Sequence, residues 1–327
     1  MSTIAMVKAA EKRLKGNIRR TPMLTSPFLD EIAGRKVLVK AECLQHTGSF
    51  KFRGAWSALS ALPKEDRAKG VIAFSSGNHA QGVALAASMH KTKAVIVMPA
   101  DAPKVKIDNT KALGAKLVLY DRAGGEDRGE VAAKVNESGE LSLIKPFDDP
   151  EVIAGQGTCG IEIVFQAKDL RVKDAEVLVP TGGGGLASGI AIALKEYADL
   201  LRVRTVEPQD FDDFHHSLKA GRPVMNQRTS GSICDAIITP TPGFLTFPII
   251  RRLAGAGMVV TEDECLHAMA LAYHRLKIVL EPGGAAGLAA ALFHGNEIDG
   301  NAVIAVATGG NVDKEIFQLA LDKFDDF

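Results

Sequence analysis

With 327 residues, the chain exceeds one ordinary core and suffices for two domains with a cleft, which excludes a peptide hormone, a disulfide-stapled module or a short adaptor. Its 39 Lys plus Arg balance 39 Asp plus Glu, so neither a basic nucleic-acid surface nor an acidic tail is expected, and no nucleic-acid partner. No apolar run approaches the roughly 20 residues of a membrane span, no secretory leader pattern opens the chain, and Cys43, Cys159, Cys234 and Cys265 lack zinc or redox spacing, so reduced thiols and a cytoplasmic setting without membrane contact are expected.

In chain order, apolar runs alternate with Ala-rich stretches. Strands are expected at Val37 to Ala41, Val71 to Phe74, Ala94 to Met98, Lys116 to Leu119, Glu176 to Val179, Arg202 to Val206 and Val303 to Ala307. Helices are expected at Phe50 to Leu62, His79 to Met89, Val105 to Leu113 and Gly185 to Tyr197. This is the pattern of an α/β protein whose helices cover both faces of a mostly parallel sheet. The strand-helix series within 70–147 reads as a smaller domain inserted into a larger one built from 1–69 and 148–327, with a cleft between them.

Four segments carry chemistry. In His46 to Ala55, a turn-prone HTGS precedes an apolar helix, so Ser49 is expected to cap it and Lys51 to sit in its first turn. The helix dipole favours a neutral amine there, and a neutral amine attacks aldehydes. A solvated surface lysine is the other reading of Lys51 alone. Ser75-Ser76-Gly77-Asn78-His79 follows a strand and offers amides and side-chain donors for a carboxylate, or ordinary helix capping. Thr181 to Gly189 places four consecutive glycines, Gly182, Gly183, Gly184 and Gly185, between a strand and a helix, where backbone amides can converge on a phosphate. The run matches neither the G-x-x-x-x-G-K-[ST] loop nor a dinucleotide fingerprint, and a purely structural tight turn stays open. Thr308, in ATGGN at the end of the last strand, is placed to hydrogen-bond a ring heteroatom or to serve structure alone.

Together and in this order, SFKFRGA, SSGNHAQG, TGGGG and Thr308 resemble the motifs of the serine/threonine dehydratase and serine racemase group of fold-type II pyridoxal-phosphate enzymes, over nearly the whole chain. The resemblance implies a tryptophan synthase beta-like fold with two open sheets flanked by helices. It implies a Schiff base to Lys51, packed by Phe50, with Gly182 to Gly185 on the phosphate and Thr308 beside the pyridine nitrogen. Ser75, Ser76, Gly77, Asn78 and His79 then bind the substrate carboxylate, and Asn78 also suits the cofactor's ring oxygen.

The activity implied is β-elimination of water from L-threonine or L-serine, with release of ammonia and a 2-oxo acid. Lys51 removes the Cα proton. In the racemase branch the serine matching Ser76 is the acid/base on the opposite face, so racemisation stands as an accompanying activity. Arg128 resembles by position an active-site-side arginine that would accept a second carboxylate, as in 3-hydroxyaspartate, although an exposed arginine fits this polar stretch equally. The resemblance also implies a Mg or Ca site from Glu207, Asp213 and the Phe211 carbonyl, where the residues alone read as a solvated acidic turn. A homodimer is the family expectation, and Glu281 receives no firm role.

Overall fold

The computed structural model describes residues 2–75, 77–102, 104–121 and 124–324. Its strands are β1 (Met23–Thr25), β2 (Lys36–Ala41), β3 (Val71–Phe74), β4 (Ala94–Pro99), β5 (Lys116–Tyr120), β6 (Ser142–Leu143), β7 (Ala175–Pro180), β8 (Leu201–Pro208), β9 (Met258–Val260) and β10 (Ala302–Ala307). Two sheets result, one of order β1-β2-β10-β7-β8-β9 and one of order β5-β4-β3-β6. Every pairing is parallel except β1 with β2. All strands of the second sheet come from Val71 to Leu143, a span that lies inside the 70–147 segment.

Central strands of such a sheet are covered on both faces and need apolar residues throughout. The sequences AEVLVP in β7 and AVIAVA in β10 meet that need, and every residue of both is buried. The helix Pro150–Asp169, started by an Asp149 side chain that accepts from the Glu151 and Val152 amides, packs against the helices Lys51–Ala61 and Gly185–Tyr197. One core cluster runs from Phe52 and Ile153 through Val83 to Val71 and Ile96, so apolar packing ties the second sheet to the helix that begins at Lys51.

Beneath that helix lies a buried ionic cluster. Arg53 is fully buried and donates to both Glu42 oxygens, each at 2.8 Å, and to both Glu162 oxygens at 2.8 and 2.9 Å. Lys40, equally buried, donates to Glu162 Oε2 at 2.6 Å and to the Thr21 carbonyl at 2.8 Å. Burial alone would raise the Glu42 carboxyl, but the Arg53 charge and hydrogen bonds outweigh it and hold the group at about 2. Two cations thus meet two anions, and the forked geometry of a guanidinium fixes the helix in rotation as well as in position.

The expected Ser49 cap does not form. Ser49 lies in extended backbone paired with Gly309, the Phe50 amide donates to the Thr308 carbonyl at 3.1 Å, and the helix starts at Lys51 with no side-chain cap. The Ser49 hydroxyl is drawn into the interior by this pairing and has no hydrogen-bond partner among the described residues. All four cysteines are free and buried. Among the described residues, no helix is long and apolar enough to cross a membrane.

Replacing Arg53 by Met would leave the buried Glu42 carboxylate without its cation. The expected loss is about 3–5 kcal/mol, read as a fall in the urea midpoint at unchanged slope. A loss below about 1 kcal/mol would show that the cluster does not hold the helix.

Candidate active site

Strand ends build the site. β3 leads into Ser75 and Gly77, β7 into Thr181 and the four glycines, and β10 into Thr308, so the carboxyl ends of parallel strands from both sheets open onto one space. The cavity there holds about 430 Å³, and its walls include Phe50, Lys51, Ser75, Gly77, Asn78, His79, Arg128, Gly182, Gly183, Gly184, Gly185 and Thr308. The structure therefore brings together residues that lie far apart in the chain. Ser76 lies outside the described residues.

Lys51 is the first residue of its helix, and its Nζ donates to the Pro146 carbonyl at 3.0 Å. Burial pushes the ammonium down to about 8, against the opposing charge of Glu281. Its neighbour Phe50 presents a ring whose centre is 5.1 Å from Nζ. An amine in this state is a usable base and nucleophile near neutral pH.

His79 is buried, with Nε2 2.9 Å from the Ile144 carbonyl. Burial, helped by the charge of Lys51, lowers it to about 3. The imidazole is therefore neutral, Nε2–H donates to Ile144, and Nδ1 is left as an acceptor. Ser75 Oγ accepts from the Gly77 amide at 3.2 Å and so shapes the turn before the helix Asn78–Met89. Asn78 is held at both ends of its amide. Its Nδ2 donates to Glu281 Oε1 at 2.6 Å, and its Oδ1 accepts from Asn311 Nδ2 at 2.6 Å.

The glycine run depends on two missing Cβ atoms. Gly184 has φ 86°, a left-handed conformation, and a Cβ on Gly183 would stand 2.3 Å from the Phe147 ring. Thr246 Oγ1 donates to the Gly183 carbonyl at 2.6 Å, which fixes the loop from behind. The helix Gly185–Tyr197 begins here with no side-chain cap, so its first amides are offered to whatever occupies the cavity. Thr308, at the end of the neighbouring strand β10, also lines the cavity and is 4% exposed. Arg128 stands with its guanidinium 5.2 Å from the centre of the Phe74 ring and reaches the same cavity.

Glu207 and Asp213 lie elsewhere, at the end of β8 and the start of the helix Asp213–Ala220. Glu207 accepts from the Phe214 and His215 amides, each at 2.8 Å, and Asp213 Oδ1 accepts from Asn226 at 2.8 Å. Asp213 Oδ2 is buried with no partner among the described residues. Burial and the neighbouring Asp213 charge push the Glu207 carboxyl well up, and burial lifts Asp213 to about 7.

Sequence reasoning assigned no place in the cavity to Lys106, Asp235, Pro146 or Phe147, and no firm role to Glu281, yet all five line it. Glu281 is buried and pushed up to about 7, chiefly by burial, with the Lys106 charge opposing. Its one sequence signal is the Glu-Pro-Gly-Gly start of the helix Pro282–Phe293, which marks a helix entrance rather than a site.

The family model for pyridoxal-phosphate dependent enzymes matches residues 14–309. An L-threo-3-hydroxyaspartate ammonia-lyase from Pseudomonas sp is 42% identical over 316 residues, covering 97% of each chain. A serine racemase from Arabidopsis thaliana is 41% identical over 315 residues, covering 95% of this chain and 93% of the relative. The crystal structure of a T.th. threonine deaminase superposes with a TM-score of 0.89 at 43% identity, covering 95% of this chain and 99% of that one. With its two-sheet α/β architecture and these matches along most of its length, the chain belongs to the pyridoxal-phosphate dependent enzymes of fold type II, in the group of serine/threonine dehydratases and serine racemases.

Proposed function

We propose that the chain catalyses β-elimination of water from a hydroxy amino acid, L-threonine or L-serine first, releasing ammonia and a 2-oxo acid. The observation that carries this reading is a lysine amine lowered to about 8 in the same cavity as an uncapped glycine-rich helix start. Those two features fit pyridoxal phosphate, because the aldehyde requires a neutral amine and the phosphate requires converging amides. When bound, the cofactor supplies an electron sink for charge developing at Cα.

The chain's own residues do the rest. Gly182 to Gly185 hold the phosphate with backbone N–H groups, Phe50 and Asn78 fix the ring, and Thr308 offers a neutral hydroxyl to the ring nitrogen. A hydroxyl does not enforce a positive charge there as a carboxylate would, which favours elimination over transamination. Ser75, Gly77 and Asn78 orient the substrate carboxylate, and His79 joins them through its backbone N–H in the first turn of the helix, since its ring donor is committed to Ile144. Lys51, once free, takes the Cα proton at Nζ. In this reading 70–147 is the substrate side and 1–69 with 148–327 the cofactor side, and the protein works as a homodimer.

Two extensions have support of their own. Arg128 in the cavity wall offers a cation to a second carboxylate, which admits 3-hydroxyaspartate, and a relative of that activity is 42% identical. Racemisation, with Ser76 opposite Lys51, is supported by the serine racemase at 41% identity. The Glu207 and Asp213 pair fits a Mg or Ca ion completed by the Phe211 carbonyl and water, since the orphaned Asp213 Oδ2 needs a partner that a hard cation supplies. Neither carboxylate lines the cavity, and Phe214 packs behind Gly184, so an ion held there supports the glycine loop from behind and does not take part in elimination.

Three measurements test these assignments. Lys51→Ala is expected to lower ammonia and 2-oxo acid release from L-threonine, L-serine and 3-hydroxyaspartate by about 10³-fold or more, and retained turnover would sink the reading. In the cofactor-free protein, labelling of Lys51 by trinitrobenzenesulfonate should have its pH midpoint near about 8, well below that of exposed lysines. A midpoint shared with the exposed lysines would remove the basis for a neutral amine. Magnesium or calcium should raise the melting temperature of the wild type and leave Asp213→Asn unmoved; equal shifts in both proteins would place the ion elsewhere.

A further inference from the structure

Lys106 lies on the helix Lys104–Ala112, which follows β4, and it behaves unlike its neighbour. The Lys104 side chain is 90% exposed and pairs with Asp108 one turn on, as a surface lysine does. Lys106 is 7% exposed and turns inward to line the cavity. Its side chain runs along the turn before Asn78: a Cβ placed on Gly77 would stand 3.5 Å from Lys106 Cδ and 3.8 Å from Nζ.

A mostly buried ammonium needs its three donors satisfied and its charge matched. Among the described residues, the carboxylate that meets Lys106 is Asp235, at 3.4 Å, and that side chain is 55% exposed. The contact is long for a charge-assisted hydrogen bond. Glu281, another acid lining the cavity, feels the Lys106 charge but takes its hydrogen bond from Asn78, at 2.6 Å. Lys106 is thus a charge inside the cavity that acts on Glu281 through space and whose direct ionic contact, to Asp235, is long and half-solvated, directly beside the segment that receives the substrate carboxylate in the reading above.

We propose that Lys106 is a substrate-binding residue whose ammonium pairs with the carboxylate seated at Ser75 to His79, and that Asp235 is the placeholder it exchanges for that carboxylate. The inference rests on reading this segment as the carboxylate loop. An ordinary latch between the two sheets would use the same contact, since Lys106 follows β4 and Asp235 follows β8. The two roles differ in sign. If Asp235 competes with substrate, removing its charge strengthens binding; if it only closes a latch, removing either partner weakens it.

The test is a titration of the pyridoxal-phosphate-loaded protein with L-alanine, followed by the cofactor's absorbance. L-alanine has the amine and carboxylate of a substrate and no β-hydroxyl, so binding is scored whether or not the protein eliminates water. Lys106→Met is expected to weaken L-alanine by about tenfold or more, the weight of one charge-assisted hydrogen bond, while Asp235→Asn tightens it. Weakening by both variants, or no change in either, overturns the proposal. If Lys106→Met fails to load cofactor, Asp235→Asn alone decides, tighter binding supporting the exchange and looser or unchanged binding refuting it. A protein that binds L-alanine in this pattern but releases no ammonia from any hydroxy amino acid overturns the proposed elimination and leaves the Lys106 assignment standing.

Discussion

The placement of Lys51 depends on the Arg53 guanidinium two residues along the same helix. Four of the hydrogen bonds that Arg53 makes go to Glu42 and Glu162, one acid just after β2 and the other on the long helix Pro150–Asp169. Replacing a buried ion cluster by apolar groups of the same shape is often neutral in stability, so net energy is not what such a cluster supplies best. A planar fork meeting two carboxylates has one good orientation, however, and a helix gripped in that way cannot turn about its axis. The first residue of that helix is Lys51, and its direction into the cavity follows.

A second restraint comes from the other side. Gly48 and Phe50 pair with Gly310 and Thr308, so the segment before Lys51 is stitched to the end of β10. Thr308 and Lys51 therefore stand on elements joined by backbone hydrogen bonds, while Gly182 to Gly185 continue β7, the neighbour of β10 in the same sheet. Every residue assigned to the amine, the phosphate and the ring nitrogen descends from one rigid unit. The second sheet and the segments that follow its strands contribute Ser75, Gly77, Asn78, His79, Lys106 and Arg128 to the cavity, the residues that the proposed function assigns to the substrate's acidic groups. This division lets the substrate side change without disturbing the chemistry that all substrates share.

Much of this was legible in the sequence for a definite reason. Continuous apolar runs such as AVIAVA are what a strand buried on both faces must look like, and strand-to-helix turns rich in Gly, Ser and Asn mark the carboxyl ends where ligands bind. The helix Pro150–Asp169 was not legible, because Gly155, Gly157 and Gly160 lower its helix propensity and a helix buried along most of its length shows no polar stripe. Nor was the cluster of Arg53, Glu42 and Lys40, because its charges find each other only when partners as distant as Glu162 are brought to them. Ser49 shows the opposite error: the local pattern of a cap was present, and pairing with Gly309 overrode it. Lys106, Asp235 and Glu281 carry no motif, since their meaning arises only where three separate segments meet.

The same burial acts on acid and amine in opposite directions, and that sets the cavity's proton balance. It lowers Lys51 to about 8 and raises Glu281 to about 7. Free in water the two groups would differ by roughly six units, and a proton would rest on the lysine at almost any pH. Burial draws the two groups far closer together in proton affinity, so near neutral pH the lysine is not locked in its charged state nor the acid in its ionised one. Asn78 holds Glu281 Oε1 through its own amide, which Asn311 orients in turn. His79, neutral under the same burial, adds no competing charge. A cavity that merely hid a lysine would leave it inert; one that holds it beside the field of an acid raised by the same burial keeps an amine able to gain and lose a proton near neutral pH.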